Sequence, residues 1–173
     1  MARESFLADV MLIKLGRWLR VLGYDCRIPD SEDRIEIMDR NLAEVALREG
    51  RTLLTMDREL SRMAESLGAK AVFIPSSLSH IKKQLKFLFK NSIIDLGILG
   101  NTSSLDQYAR CTTCGGELEV VKKDDFGKVR NLDEWTRERH SQVRVCKNCK
   151  QVYWKGIHWG KIIKTLEELK EEF

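Results

Sequence analysis

Residues 51–75, RTLLTMDRELSRMAESLGAKAVFIP, decide the fold. Thr52 to Thr55 is a short apolar run with the length of a buried strand. Arg58 to Leu67 has helical spacing and is closed by Gly68. Ala71 to Ile74 is again a strand, ended by Pro75. With connections this short the two strands run parallel, the helix between them being the crossover. The same rhythm extends outward. Upstream, Phe6 to Ala8 is a short apolar run ending at Asp9. Leu12, Leu15, Leu19 and Leu22 then recur at helical intervals up to Gly23, and Asp25 to Ile28 is extended. An acidic loop leads to Asp39 and a helix with Leu42, Val45 and Ala46 inward, an Asn41–Glu44 capping box and a stop at Gly50. Downstream, a helix from about Ser79 to Phe89, with His80 in its first turn, aligns Ile81, Leu85 and Leu88. The expectation is an α/β domain of three layers with a central parallel sheet.

The whole chain has 173 residues, 43% hydrophobic and 32% charged, with 2 Pro and 11 Gly. That balance suits a packed protein and excludes collagen, coiled coil and disordered tail. The length admits one ordinary domain, or a domain plus a small module that needs its own staple. Between Asp95 and Gln107 the composition turns to Gly, Asn, Thr and Ser, which reads as a linker. The predicted organisation is therefore a domain over 1–95, a β-rich module over 108–158 and a polar final helix over 159–173. No apolar run reaches the length of a membrane span, and Asp9 and Lys14 interrupt the N-terminal apolar stretch, so a cytoplasmic protein is expected.

Cys111 and Cys114 form one CxxC pair, Cys146 and Cys149 another, with 31 residues between. Two residues between thiols let one tight turn aim both sulfurs at the same ion, and two such turns complete the tetrahedron that zinc prefers. The long gap makes a hairpin or loop, about Asp124 to His140, project from this zinc ribbon. Four thiolates leave no open position, so one structural zinc is expected, supplying the core that so few residues lack. Cys26 is read as a small buried apolar residue. His140 replaces a thiol only if one of the four is not a ligand.

Net charge is +4, but unevenly spread: Arg110 to Lys164 holds 13 basic and 7 acidic side chains, a surplus of +6, and the remainder is −2. Tyr153, Trp154, Lys155, His158, Trp159 and Lys161 alternate aromatic with basic groups. Lys155, Trp159 and Lys161 suit stacked bases and phosphates; the aromatics equally suit a glue between ribbon and first domain.

Asp9 follows the first strand, Asp57 the third, and Asp39 opens the helix leading into the third. In a parallel sheet these fall at the carboxyl edge, where open α/β folds bind ligands. Carboxylates gathered there repel unless a cation neutralises them, and hard oxygens without His or Cys suit Mg²⁺ or Mn²⁺. Glu59 is the fourth acid. One or two such ions polarise a phosphodiester and activate water. Singly, Asp39 and Asp57 also suit helix caps, and Asp9 an ion pair with Lys14 or Arg17. Lys14, Arg17 and Arg20, on the polar side of the first helix, are positioned to meet a substrate backbone.

The run Leu7-Ala8-Asp9-Val10-Met11-Leu12, with Lys14-Leu15-Gly16-Arg17-Trp18-Leu19-Arg20 and Leu22-Gly23-Tyr24-Asp25, resembles the start of PIN-like RNase domains of the "Mut-seven carboxyl-terminal" family. Glu49-Gly50-Arg51 leading to Leu53-Leu54-Thr55-Met56-Asp57-Arg58-Glu59-Leu60 does likewise. Arg110-Cys111, Cys146, Cys149, Tyr153-Trp154-Lys155-Gly156 and His158-Trp159 are similar to the zinc ribbon that family carries. The resemblance spans nearly the whole chain. It implies a PIN-like fold and a metal-dependent RNase acting on RNA, with Asp9, Asp39, Asp57 and Glu59 at the acidic positions. Where that family has a tighter acidic run, this chain has Asp39-Arg40-Asn41, with Glu36 and Glu44 as substitutes. The rival expectation is a non-catalytic RNA-binding or adaptor protein with a vestigial acidic pocket.

Overall fold

The computed structural model describes residues 4–29 and 39–173, the side chains of 39–41 excepted. β1 (Ser5–Ala8), β2 (Asp25–Arg27), β3 (Thr52–Thr55) and β4 (Ala71–Phe73) form a parallel sheet in the order β2-β1-β3-β4. From β1 the chain passes through a 3-10 turn (Val10–Leu12) and α1 (Ile13–Val21) to lay β2 on one side. It then returns through α2 (Asp39–Glu49) to lay β3 on the other side of β1. α3 (Arg58–Ser66) leads on to β4, and α4 (Ile81–Lys90) follows, with His80 at its N-cap. The direction of strand addition therefore reverses between β1 and β3. A doubly wound sheet opens its binding crevice at the carboxyl ends of those two strands.

Alternation along the strands divides the core into two layers. Phe6, Ala8 and Leu54 pack with Leu15, Leu19 and Leu22 of the α1 segment and with Leu85 and Leu88 of α4. On the other face Leu7 and Leu53 meet Leu42 and Ala46 of α2 and Leu60 and Ala64 of α3. Each fully buried leucine contributes about 1.5–3 kcal/mol relative to exposure. α1 lies close on the sheet because Gly16 has no side chain: a Cβ there would stand 2.8 Å from Cγ1 of Ile28 and 3.1 Å from Cβ of Ala8. α2 already begins at Asp39, so Asn41 stands inside the helix. Its side chain, and with it the expected capping box, lies outside the described residues.

The second half departs from its sequence reading in three ways. The Gly, Asn and Ser-rich stretch after Asp95 is not an extended linker. It folds as α5 (Gly97–Gly100), a 3-10 turn (Thr102–Ser104) and α6 (Leu105–Tyr108). Ile98, Leu99 and Leu105 drive this by joining the first core. The ribbon, β5 (Leu118–Lys122), β6 (Gln142–Cys146) and β7 (Val152–Tyr153), is antiparallel in that order. The insertion between β5 and β6 contains a 3-10 segment (Lys123–Lys128) and α7 (Glu134–Arg139). Phe126, Val129 and Leu132 from this insertion pack on Val143, Val145 and Val152, so the ribbon has a small apolar core besides its cysteines. Finally α8 (Ile157–Lys170), expected to be polar, buries Ile162, Leu166 and Leu169 in the first core. Lys82 of α4 pairs with Glu168 at 3.3 Å and Glu172 at 3.0 Å beside it. Among the described residues no helix is long and apolar enough to cross a membrane.

Candidate functional site

The β1–β3 register sets Ala8 beside Leu54, and the N–H of Asp9 extends that ladder by donating to the Leu54 carbonyl at 2.9 Å. Asp9 is thereby brought beside Thr55. The buried Thr55 hydroxyl donates to Oδ2 of Asp9 at 2.8 Å and accepts from the N–H of Asp57 at 2.9 Å. One hydroxyl thus joins the carboxylate after β1 to the backbone after β3. Thr55 is not among the site residues expected from the sequence. Of the two threonines that bound β3, Thr55 is the one at the register position that faces Asp9.

Asp57 is the N-cap of α3: its Oδ1 accepts from the N–H groups of Glu59 at 2.7 Å and Leu60 at 3.2 Å. The cap uses only Oδ1. Asp9 is 5% exposed and makes no ion pair among the described residues, with Lys14 and Arg17 included. A carboxylate so shielded is costly unless a cation or further donors compensate it. The carboxylates of Asp9 and Asp57 and the Thr55 hydroxyl offer hard oxygens, the donor type that suits Mg²⁺ or Mn²⁺. Glu59 is exposed in the first turn of α3. Among the described residues, only the cysteines form a group of three or more metal-ligating side chains whose donor atoms all lie within 4.8 Å. Asp39 opens α2, but its side chain, like the whole of Glu36, lies outside the described residues; Glu44 is exposed on α2.

Lys14 and Arg17 are exposed on α1. Arg20, placed with them by helical spacing, is 4% exposed, and this corrects its assignment to a substrate-facing surface. Its guanidinium donates to the carbonyls of Cys26 at 2.8 Å, Thr112 at 2.9 Å and Thr113 at 3.0 Å. Burial lowers its pKa, against the raising effect of the cysteines and Asp25 around it. Arg20 ties the end of α1 to the first CxxC turn.

Cys111, Cys114, Cys146 and Cys149 converge at one point. Cys111 and Cys149 have their sulfurs 3.5 Å apart, Cys114 and Cys146 3.4 Å. A tetrahedral ion with Zn–S bonds of about 2.3 Å separates its sulfurs by about 3.8 Å, so the cluster fits such an ion. The two turns are built alike. Gly115 N–H donates to the Cys111 carbonyl at 2.8 Å and Cys111 N–H to that of Gly116 at 2.9 Å. Lys150 and Cys146 repeat this, at 3.1 Å to the Cys146 carbonyl and 2.9 Å to the Gln151 carbonyl. Each turn ends in the left-handed region, at Gly115 (φ 79°) and at Lys150 (φ 61°). The Tyr153 hydroxyl stands 3.1 Å from the Cys111 sulfur and accepts from the Thr112 N–H at 3.1 Å. Burial raises the Cys111 pKa, but hydrogen bonds from Tyr153 and backbone N–H groups outweigh it and bring the thiol to about 6; desolvation and sharing with the other sulfurs push Cys149 to about 12.

Of the aromatic and basic cluster, Trp159 is half-buried and packs against the first core, as the glue reading required. Lys155 pairs with Asp106 at 3.0 Å, and Asp106 also receives Arg144 at 3.0 Å. Burial of Asp106 opposes its ionisation, but these two hydrogen bonds prevail and hold its pKa below the usual carboxylate range. Lys161 is exposed on α8.

The comparison with curated proteins finds no match to this chain. The sequence model of the Mut7-C RNAse domain matches residues 4–166, from the first residue of the sheet's approach to the buried face of α8. Because that match takes in the carboxyl edge with Asp9 and Asp57 together with both cysteine turns, the chain belongs to the Mut7-C RNAse domain family.

Proposed function

We propose that this chain is a metal-dependent ribonuclease of the PIN type. It hydrolyses phosphodiester bonds of single-stranded RNA at the carboxyl edge of β1 and β3, in the cytoplasm, and its ribbon assists RNA binding. The observation that carries this reading is the shielded Asp9 carboxylate, hydrogen-bonded through Thr55 to the Asp57 segment at the point where the strand order reverses. Asp9 and Asp57 present the oxygens that hold the ion, and Thr55 fixes their relative position. Asp39, at the start of α2, completes this acidic set, and Glu59 orients water from the first turn of α3. Lys14 and Arg17 draw the RNA backbone toward α1 by their charge. Mg²⁺ or Mn²⁺ bound there supplies polarisation of the phosphodiester and a water acidic enough to attack it. The four cysteines hold one zinc ion with a purely structural role, since no coordination position stays open for substrate.

The test is Asp57→Asn, assayed on single-stranded RNA with and without Mn²⁺ in preparations cleared of contaminating nuclease. Asn keeps the capping oxygen, so stability stays within about 1 kcal/mol of wild type, while cleavage falls by orders of magnitude. Retained metal-dependent cleavage overturns the assignment of the acidic edge. RNA that the wild type binds but leaves uncut, whether or not divalent metal is added, assigns the chain to the non-catalytic alternative.

A further inference from the structure

The cavity between ribbon and first domain is separate from the acidic edge. It encloses about 350 Å³ and runs from Val21, at the end of α1, to Trp154 and His158. Asp9 lies before the start of α1, and a helix of nine residues spans about 14 Å. The volume is at the small end of ligand sites, which run from about 300 to 1,000 Å³.

Its walls have the chemistry of a nucleotide site. Trp154 is 41% exposed. Its ring centroid is 6.4 Å from that of His140, and the His140 ring lies 6.0 Å from that of Trp135. Arg139, which lines the cavity, stands 4.7 Å over the Trp135 ring. Asp106, whose charge would repel phosphate, is neutralised by Arg144 and Lys155. Nε2 of His140 is shielded from solvent and has no hydrogen-bond partner among the described residues. A shielded nitrogen without a partner is uncommon; to serve a bound base, the His140 ring, which lines the cavity, turns this nitrogen toward it.

We propose that this cavity is a subsite for one unstacked nucleobase of a single-stranded RNA. The base stacks on Trp154, His140 supplies polar recognition, and Arg139 meets a neighbouring phosphate. The proposal rests on the reading of the chain as acting on RNA. Aromatic faces accept any base, and Arg beside them adds charge without sequence preference, which is how single strands are gripped along their length. The subsite anchors the strand one helix length from the bond that is cut.

The test uses the full zinc-loaded chain and needs no turnover. Adenosine and uridine monophosphates, with inorganic phosphate as a control, are titrated against tryptophan fluorescence. A labelled oligouridylate of about ten nucleotides is followed by anisotropy without added divalent metal. The nucleotides quench and phosphate alone does not. Trp154→Ala weakens oligonucleotide binding about tenfold, the loss of one base–aromatic stack, and removes the quenching. His140→Phe keeps an aromatic ring beside both tryptophans and also weakens binding, with circular dichroism unchanged. Binding by both folded variants that is indistinguishable from wild type overturns the proposal, as does equal quenching by phosphate. If RNA is cut with Mn²⁺ while the variants bind normally, the subsite fails and the nuclease stands. If nothing is cut but Trp154→Ala still abolishes nucleotide quenching, the nuclease fails and the subsite stands.

Discussion

Thr55→Val removes one hydroxyl and preserves the shape of the side chain. Two bonds disappear: the donation to Oδ2 of Asp9 at 2.8 Å and the acceptance from Asp57 N–H at 2.9 Å. A hydrogen bond to a charged group is worth about 1.5–3 kcal/mol and a neutral one about 1 kcal/mol. The added methyl returns about 0.8 kcal/mol of apolar burial at a fully buried site. The expected net loss is about 2–3 kcal/mol, a fall in Tm of about 5–10 °C for a chain of this size. Thr55→Ser keeps both bonds and loses only the methyl, about 1 kcal/mol. The assay is thermal unfolding by circular dichroism, paired with Mn²⁺-dependent cleavage of single-stranded RNA. Val lowers kcat by loosening Asp9 against Asp57, and Ser restores it. A Thr55→Val protein as stable and as active as wild type refutes the idea that this hydroxyl joins the two acidic segments.

Gly16→Ala pushes a methyl against Ile28 and Ala8. Overpacking of about 1–3 kcal/mol, offset by about 1 kcal/mol of helix propensity, leaves a destabilised chain that denaturant titration detects. Elemental analysis finds one zinc per chain, and a chelator lowers the helix signal of the whole chain in a single thermal transition, because Arg20 couples α1 to the cysteine turn; a first core that melts unchanged contradicts this. Asp106→Asn costs about 1–3 kcal/mol at neutral pH by leaving Arg144 without its carboxylate. The folded pKa of Asp106 is depressed, so this contribution is present above the unfolded pKa and is lost as pH falls through the folded one. The gap between variant and wild type therefore closes below about pH 4 in acid denaturation.

Elements were legible where the determinants are local. The alternation around residues 51–75 fixes strand, helix and strand, and the parallel sheet follows from short crossovers. Two CxxC pairs announce their cluster because two residues between thiols dictate one turn. What escaped depends on register or on distant chain. Thr55 gains its role from a hydroxyl facing across to β1, which no single strand reveals. Helical spacing groups Arg20 with Arg17, yet residues more than ninety positions away cover it. Gly115 signals a left-handed turn end, whereas Lys150 adopts the same conformation with no mark in the sequence. The turn-forming composition of the stretch after Asp95 outweighed its Ile98, Leu99 and Leu105, which decide the packing. In α8, Ile162, Leu166 and Leu169 were a readable stripe among its charges.

The reach of Arg20 also bears on the order in which the chain can fold as it is synthesised. When α1 and β2 emerge, Arg20 has the Cys26 carbonyl but lacks Thr112 and Thr113, and its charge must stay hydrated. The same first core waits for Ile162, Leu166 and Leu169, far along the sequence from α1. Contacts of such separation close late, and a nascent sheet without them exposes apolar surface. A fragment ending near residue 95 is therefore a sheet with an uncovered face, prone to association. The sheet and α1 therefore reach their final packing only after both the first cysteine turn, which holds Arg20, and α8, which covers the first core, have been made.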